Sequence, residues 1–380
     1  MAKKRSNGEG SWTQRDNGTW KLSVAYKGIG RKYFYGDKQT CLKKKREFEV
    51  LLNKNIVGDK DILFEDFIHS WLFTVKQPTL KPSSFDRMER VLKEKHVTRL
   101  YNLEMKQIDG HLIQTFIINK MKDDGLAYET IKKTCSVLGE IFNYALLREK
   151  IDRNPMGEVR LPKKSLFVQK ERRYLSQQER EKLIQTCYSR HKNGVRIYKN
   201  GALYVFLLYT GCRVGEALAL RWSDIDFETR TAKIYKTVAR INDRSKSKNK
   251  TIEIVSNSTK TGVARTIYLS DMAIAALRDL QEQIGWEPNG YIVHVNHTKP
   301  ICKVAAQNTF DRIINRAGIK HCGVHALRHS FVSLMLHNNV PITMISQMVG
   351  HLNINMTMQV YSHLLDETKI ESMSIIKDIK

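Results

Sequence analysis

The chain has 380 residues, of which 41% are hydrophobic, so it is long enough for two or three domains that each bury a core. Its 64 Lys and Arg outnumber 39 Asp and Glu, which gives a formal net charge of +25. The excess is distributed, with +9 in residues 1–60, +4 in 61–170 and +12 in 171–380. A nucleic acid duplex that contacts every part of the chain therefore fits better than a partner bound by one tail, and a generically basic surface is the alternative.

The composition argues against membrane, disulfide-stabilised and zinc-binding classes of protein. No apolar run approaches the ~18–20 residues that span a bilayer, and no hydrophobic signal segment follows the basic N-terminus. We therefore expect no membrane partner and a location in the cytoplasm. The six cysteines stand far apart without the close Cys/His spacing of zinc sites, which predicts buried free thiols in a reducing compartment.

Residues 1–57 are predicted to form a small module of sheet and helix. Aromatic and β-branched runs within residues 10–37 are broken by turn-forming residues at 16–18 and 28–30, which predicts a three-stranded sheet. A basic helix is expected from Lys38 to Asn55. Its four consecutive cations are candidate DNA-binding residues: Lys43, Lys44, Lys45 and Arg46.

Residues 62–160 are predicted to form an all-α domain, because apolar residues recur there at steps of three and four. One predicted face contains Ile108, Leu112, Phe116 and Ile117, and another contains Ile131, Cys135, Leu138, Phe142 and Ala145. Pro155 and Pro162 interrupt this pattern. The basic, aperiodic residues 161–173 therefore predict an extended linker, whose Lys163 and Lys164 are candidate phosphate contacts.

Residues 174–380 are predicted to mix helices and strands. Helices are expected at 177–189, 201–209 and 214–220, strands at 232–241, 251–255 and 265–269, and further helices from Asp271. The charged loop between the first two strands contains Arg244, Lys246, Lys248 and Lys250. These cations either contact phosphates or form a solvated hairpin tip, because the two look alike in sequence.

Four local motifs in this last segment could carry chemistry. They are Thr210-Gly-Cys-Arg213-Val-Gly-Glu216, Thr259-Lys260-Thr-Gly262, His325-Ala-Leu-Arg328, and Gly350-His351 followed by Tyr361. Alone, Arg213 could be a helix-end ion pair, Lys260 a turn residue and Tyr361 a packing aromatic. His325 and Arg328 are three residues apart and so share a helix face, an arrangement that is costly unless an anion lies between them.

In this order, the motifs resemble those of the tyrosine recombinases, also called the phage integrase family, most specifically over residues 171–365. Residues 62–160 resemble that family's core-site DNA-binding domain. Residues 1–57 resemble the arm-type DNA-binding domain of integrases from conjugative transposons and temperate phages. The fold implied is multidomain, mainly α with small β-sheets: an N-terminal three-stranded sheet plus helix, an all-α core-binding domain, and an α+β catalytic domain over 174–380 that ends in a tail helix.

The resemblance assigns a role to each motif residue. Arg213 and Arg328 would grip the scissile phosphate, with His325 between them. Glu216 would buttress Arg213, Lys260 would be the β-hairpin lysine, His351 the second histidine and Tyr361 the nucleophile. Lys260 has neighbouring competitors in Lys246, Lys248 and Lys250, because the family's loop varies in length.

Elementary chemistry agrees with these roles. Attack on a phosphodiester builds negative charge on its non-bridging oxygens, which two planar guanidiniums stabilise without a metal. A tyrosine with a pKa of about 10 is a poor nucleophile until cations favour its phenolate or a base such as His325 takes its proton. The carboxylate pair Asp224 and Asp226 is typical of a turn, so we expect no metal and no cofactor.

The implied activity is site-specific DNA recombination through a covalent 3′-phosphotyrosine intermediate, which integrates and excises a mobile element without ATP. The implied partners are double-stranded DNA at core and arm attachment sites, a homotetramer joined through the C-terminal tail, and accessory excision or bending proteins, in a bacterial cytoplasm at the nucleoid. The tail has apolar residues at near-helical spacing, and it either packs on its own domain or on a neighbouring protomer. A type IB topoisomerase-like enzyme and a non-catalytic DNA-binding regulator with the same fold are the alternatives.

Overall fold

A computed structural model of the chain describes residues 10–15, 18–26, 30–54, 62–168, 173–244, 250–256 and 263–350. The chain divides into two compact units, Met1–Gln169 and Lys170–Lys380. The boundary between them falls inside the predicted linker, 161–173. None of the helices in the described ranges is long and apolar enough to cross a membrane.

The first unit begins with a three-stranded antiparallel sheet and one helix, as predicted. Strands β1 (Ser11–Gln14), β2 (Trp20–Tyr26) and β3 (Gly30–Gly36) pair in chain order, and helix α1 (Lys38–Lys54) follows. Side chains alternate between the two faces of a strand, so Leu22, Val24 and Phe34 point to one face and form a small core with Cys41.

The rest of the first unit is helical and has a separate core. Its α-helices are α2 (Phe64–Ser70), α3 (Gln77–Thr79), α4 (Pro82–Leu92), α5 (Gly110–Ile113), α6 (Lys120–Asp123) and α7 (Tyr128–Leu147). The predicted apolar face of α7 is buried. Phe116 is instead 52% exposed, because it lies in a π-helical segment, Gln114–Asn119, whose wider turn breaks the expected periodicity.

The second unit combines helices with two small antiparallel sheets. Its helices are α8 (Gln177–Cys187), α9 (Ala202–Thr210), α10 (Val214–Ala217), α11 (Asp271–Ile284), α12 (Lys303–Arg316), α13 (His325–His337) and α14 (Ile342–Val349). Its strands are β4 (Ile225–Asp226), β5 (Thr231–Ile234), β6 (Thr237–Asp243), β7 (Lys250–Ser256) and β8 (Arg265–Tyr268). One sheet has the order β4-β5-β8, and β6 pairs with β7 as a hairpin.

The single strand predicted at 232–241 is therefore two strands, β5 and β6, with different partners. Between them Tyr235 leaves the sheet, and its hydroxyl donates to the Asp224 carboxylate at 2.9 Å. The helix predicted at 214–220 is also shorter than expected, because α10 ends at Ala217. Otherwise the mainly α architecture with small sheets is confirmed.

Helix α9 forms the centre of the second unit. It is apolar on nearly all sides and almost wholly buried, with α11 and α13 packed against it. It ends at Gly211, which has a left-handed φ of +62°. Gly211 adjoins Phe331 of α13, so the turn after α9 lies beside α13. The candidate active site is at this turn.

All six cysteines lie in the described ranges and are free thiols. Five are buried as expected, but Cys302 is exposed. Cys302 is the N-cap of α12, and its Sγ accepts a hydrogen bond from the Ala305 N–H at 3.2 Å. This cap lies at the surface and not in the core, so the thiol serves a local hydrogen bond in place of packing.

Candidate active site

Arg213 and Glu216 are joined by the turn that links α9 to α10. Gly211 makes this turn possible, because a Cβ at its left-handed position would overlap the Phe331 ring. Arg213 then caps α10: its backbone N–H donates to Oε2 of Glu216 at 3.1 Å, and its Nη1 donates to Oε1 at 2.8 Å. The spacing of three residues thus holds the arginine against the carboxylate.

The Glu216 carboxylate is shared by a second arginine, which belongs to none of the four sequence motifs. Arg265, the first residue of β8, donates from Nη2 to Oε2 of Glu216 at 2.7 Å. The Glu216 side chain is only 1% exposed. Burial by itself would raise the pKa of this carboxyl, but the hydrogen bond from Arg265 and the charges of Arg265 and Arg213 outweigh it and hold the pKa below its usual value.

The same two arginines also bind the end of α14. Arg265 Nε donates to the Met348 carbonyl at 3.2 Å, and Arg213 Nη2 donates to the Gly350 carbonyl at 3.4 Å. The last carbonyls of a helix lack partners within the helix, so Arg265 satisfies one of them at Met348, and Arg213 binds the carbonyl of Gly350, the C-cap. Gly350 is the residue before His351 in the sequence.

Arg328 approaches the turn from α13. It is 3% exposed, and its Nη1 donates to the Gly211 carbonyl at 2.9 Å. Burial lowers the pKa of its guanidinium to about 10, and the nearby charge of Arg213 contributes in the same direction. Within the described ranges, Nη2 of Arg328 and Nη1 of Arg265 are buried with no hydrogen-bond partner.

The site therefore has three guanidiniums around one carboxylate, and its positive charge is only partly neutralised. A buried donor without a partner costs about 1–3 kcal/mol, and more when the group is charged. An anion that accepts from Arg328 would remove that cost for its Nη2. The described residues contain no group of three or more His, Cys, Asp or Glu side chains that could hold a metal. Asp226 lies in a turn, as its sequence context predicts, and accepts from the Thr229 N–H.

Lys303 adds a further cation beside this cluster. It begins α12, and it lies so close to Gly215 that a Cβ there would be 2.6 Å from its Nζ. Burial lowers the pKa of its amine, although the carboxylates of Glu253 and Glu216 act in the opposite direction. Gly215 thus leaves space for an ammonium group next to Glu216.

His325 and Arg328 lie on the same helix, as the three-residue spacing predicts. His325 is the first residue of α13 and is exposed, whereas Arg328 is buried one turn later. The His325 ring lies 4.9 Å from the His329 ring in an edge-on arrangement. The histidine is thus at the surface, and the arginine is in the core.

Three predicted catalytic residues lie outside the described residues: Lys260, His351 and Tyr361. The same holds for Lys246, Lys248 and the C-terminal tail, and for the side chain of Lys250 at the start of β7. Arg244 is described and exposed.

The remaining predicted DNA contacts are at the surface of the first unit. Lys43 and Arg46 of α1 are exposed, Lys44 donates to the Tyr35 carbonyl at 3.2 Å, and Lys45 pairs with Glu49 at 3.7 Å. Lys163 and Lys164 are also exposed. The linker is not wholly extended, because Lys164–Leu166 forms one 3-10 turn.

The sequence motifs did not include four basic residues that the structure places at candidate sites. A sequence pattern could have identified Arg265, since strand alternation places it on the same face as the buried Ile267. No sequence pattern identifies Arg87, Lys132 and Lys133, because they meet only when α4 and α7 pack and line one groove of about 500 Å³.

The sequence matches the model of the phage integrase family over residues 173–368. Residues 63–122 match the phage integrase N-terminal SAM-like domain. The chain is 27% identical over 375 residues to a tyrosine recombinase XerC-like protein of Caldanaerobacter subterraneus subsp. tengcongensis, covering 92% of each chain. It is 26% identical over 343 residues to the integrase of Staphylococcus phage L54a, covering 84% of this chain and 94% of that one.

Solved structures share the fold at lower identity. The Tn1549 transposon integrase in complex with circular intermediate DNA has a TM-score of 0.62 at 20% identity, covering 79% of this chain and 96% of that one. A lambda integrase dimer bound to a core site has a TM-score of 0.61 at 17% identity, covering 94% and 96%.

Proposed function

The chain belongs to the phage integrase family, and from that membership we propose how its own residues carry out recombination. It is a tyrosine-type site-specific recombinase, an enzyme that cuts and rejoins DNA strands to integrate and excise a mobile element. Its partner is double-stranded DNA.

The observation that carries the assignment is the set of three guanidiniums around Glu216. A phosphodiester is the anion that this cluster suits, because planar guanidiniums bind phosphate oxygens in a bidentate manner. We propose that Arg213 and Arg328 bind the two non-bridging oxygens of the scissile phosphate. Since both are fixed by hydrogen bonds to protein groups, they stabilise charge in the transition state without rearranging.

In the proposed first step, the Tyr361 oxygen attacks the scissile phosphorus and the bond from phosphorus to the 5′ oxygen breaks. The tyrosine proton passes to His325 or to solvent, and Lys260 gives a proton to the departing 5′ oxygen. His351 hydrogen-bonds the phosphate. The hydrogen bond from Arg213 to Gly350, the residue before His351, supports this placement.

The second step reverses the first with a different hydroxyl. A 5′-hydroxyl from the partner strand attacks the 3′-phosphotyrosine, the bond from phosphorus to tyrosine breaks, and the phenol is regenerated. One phosphodiester is made for each one broken, so no ATP is needed. A hydrolytic nuclease would lose this bond energy to water.

We assign DNA binding to the first unit in two modules. Residues 1–57 would bind arm-type sites through Lys43, Lys44, Lys45 and Arg46, and residues 62–160 would bind core sites. The groove between α4 and α7 adds Arg87, Lys132 and Lys133 to the core-site surface. Lys163 and Lys164 of the linker 161–173, and Arg244, Lys246, Lys248 and Lys250 of the hairpin, would contact phosphates.

We further propose that four protomers assemble on two duplexes and exchange the tail after Asp366. A lambda integrase tetramer bound to a Holliday junction shares the fold at a TM-score of 0.60. Accessory excision or bending proteins would set direction. The bacterial and phage sources of the relatives support action in a bacterial cytoplasm, at the nucleoid.

A suicide substrate tests the proposed chemistry. Duplexes bound by the inactive Tyr361→Phe protein are selected from a pool of random sequences. The sequence that binds most tightly is then synthesised with a nick close to the cleavage position, so that the short leaving strand diffuses away after cleavage. We expect the native protein to form a DNA adduct that survives denaturation. No adduct on any selected site would support the regulator instead, and supercoil relaxation by a monomer on arbitrary DNA would support the topoisomerase.

A further inference from the structure

We infer that Arg265 is a positioning residue for strand cleavage, which orients Arg213 through Glu216 and fixes the end of α14 through Met348. This inference rests on the proposed function, because it assumes that Arg213 binds the scissile phosphate. Arg265 itself uses two of its nitrogens on protein groups, Nη2 on Glu216 and Nε on the Met348 carbonyl. We assign it no contact with the reacting atoms.

Arg265 helps to fix the plane of the Glu216 carboxylate. Oε1 accepts from Arg213 Nη1, and Oε2 accepts from Arg265 Nη2 as well as from the Arg213 backbone N–H. Without Arg265, the buried Glu216 carboxylate would accept hydrogen bonds from Arg213 only, and the two side chains could rotate together. The N–H groups of the Arg213 guanidinium would then point in a different direction.

Arg265 also contacts the end of α14. Arg265 Nε holds the Met348 carbonyl at 3.2 Å, and a Cβ built on Gly350 would lie only 3.0 Å from Arg265 Nη1. The guanidinium therefore packs directly against Gly350, whose left-handed φ is +68°. The last described residue before His351 is thus held against the side chain of Arg265.

The backbone of Arg265 is held in a sheet. Arg265 begins β8, where it pairs with Ile234 of β5. Lys260 lies five residues earlier in the sequence. A single side chain therefore joins three segments: the strand that follows Lys260, the turn that carries Arg213, and the helix end that leads to His351.

The test compares Arg265→Ala and Arg265→Lys with Arg230→Ala as the matched control. Arg230 is also an arginine at the edge of the same sheet region, but its guanidinium pairs with the exposed Asp271 and not with Glu216. Each full-length variant is measured for folding by circular dichroism, for DNA affinity in the Tyr361→Phe background, and for single-turnover cleavage of the suicide substrate at saturating protein.

We expect Arg265→Ala to cleave about 100-fold more slowly, the size of loss that a small misplacement of a catalytic group causes. Its DNA affinity should stay within about threefold of the native value, because no phosphate contact is lost. Arg265→Lys keeps the charge but cannot reach both partners, so it should cleave about tenfold more slowly. Arg230→Ala should match the native protein.

A pH profile separates positioning from general destabilisation. Arg265 is a main cause of the lowered pKa of Glu216, so its removal should move the acid limb of the cleavage rate to higher pH, and Arg265→Lys should move it back. The limb is measured on the ratio of variant to native rate, in which titrations common to both proteins cancel. If Arg265→Ala fails to fold, the rate and acid limb of Arg265→Lys decide the question against the same control.

Cleavage by Arg265→Ala within about threefold of the native rate would overturn the inference, as would a loss of affinity that matches the loss of rate, which would indicate a direct phosphate contact. An unmoved acid limb in a folded variant would also overturn it. Failure of the native protein to form any adduct is a different outcome, because it contradicts the proposed function and not the role of Arg265.

Discussion

The Glu216 carboxylate lies 2.8 Å from Nη1 of Arg213, three residues earlier, and is 1% exposed. A buried ion pair is a weak source of stability, since desolvation offsets the attraction of the charges, but removal of one partner is costly. This pair also fixes the direction of an arginine that we assign to the scissile phosphate. Its disruption should therefore affect both folding and cleavage.

Replacement of Glu216 by Gln should destabilise the catalytic unit by about 3 kcal/mol, because the charges of Arg213 and Arg265 remain buried without a counterion. Urea unfolding at neutral pH measures this difference. Glu228→Gln is the matched control, since Glu228 is exposed, and it should change stability by less than about 0.5 kcal/mol. Equal stabilities for the two variants would show that the Glu216 charge is not needed.

The same pair predicts a pH dependence of stability. Because Glu216 has a lowered pKa in the folded protein, its ionised form contributes stability that is present above its ordinary pKa of 4.5 and is lost as the pH falls through the lower folded value. Arg213 and Arg265 bond to it, and Arg328, Lys303 and Cys212 also lie nearby.

The stability difference between the native protein and Glu216→Gln should therefore be constant above about pH 5.5 and should shrink as the pH falls below about 4.5. Denaturant unfolding at a series of pH values measures it. A difference that grows toward acid pH would mean that the pKa of Glu216 is raised, which contradicts the arrangement described.

Arg328→Lys should cleave DNA about 10²–10³-fold more slowly, the loss typical of removing one donor to a developing oxyanion. A lysine can replace either the bond to the Gly211 carbonyl or a bond to phosphate, but not both, and its ammonium loses charge more readily when buried. Single-turnover cleavage of the suicide substrate gives the rate. Arg230→Lys, at an exposed position, should be unaffected, and a rate for Arg328→Lys within tenfold of native would contradict the assignment.

Gly211→Ala tests the turn that presents Arg213. Gly211 and Gly318 have nearly equal φ values, +62° and +65°, but only a Cβ at Gly211 would overlap a neighbour, the Phe331 ring. Alanine at 318 should cost about 1–2 kcal/mol for its backbone conformation alone. Alanine at 211 should cost about 1–3 kcal/mol more for the overlap. Chemical denaturation compares the two, and equal losses would contradict a tight turn.

Local signals in the sequence were enough to predict the elements that depend on neighbouring residues. Turn-forming breaks predicted the N-terminal sheet, and the spacing of Ile131, Cys135 and Leu138 predicted the buried face of α7. The family resemblance, and not the spacing alone, led to the expected pairing of Arg213 with Glu216, which the structure shows as an ion pair within one turn.

Contacts between distant segments could not be predicted in this way. Arg265 is 49 residues from Glu216 and 83 from Met348, so no local pattern joins them. The separation of β5 from β6 depends on which strand each one pairs with, which the run of β-forming residues does not specify. The missed part of the site is thus the part that tertiary packing creates.

Peptide mapping of the protein–DNA adduct tests the central claim most directly. The adduct formed on the suicide substrate is digested with nuclease and protease, and the modified peptide is identified by mass spectrometry. We predict a single nucleotide 3′-phosphate ester on Tyr361, and no adduct from Tyr361→Phe. An ester on another residue, or an adduct of equal yield from the Phe variant, would contradict the account.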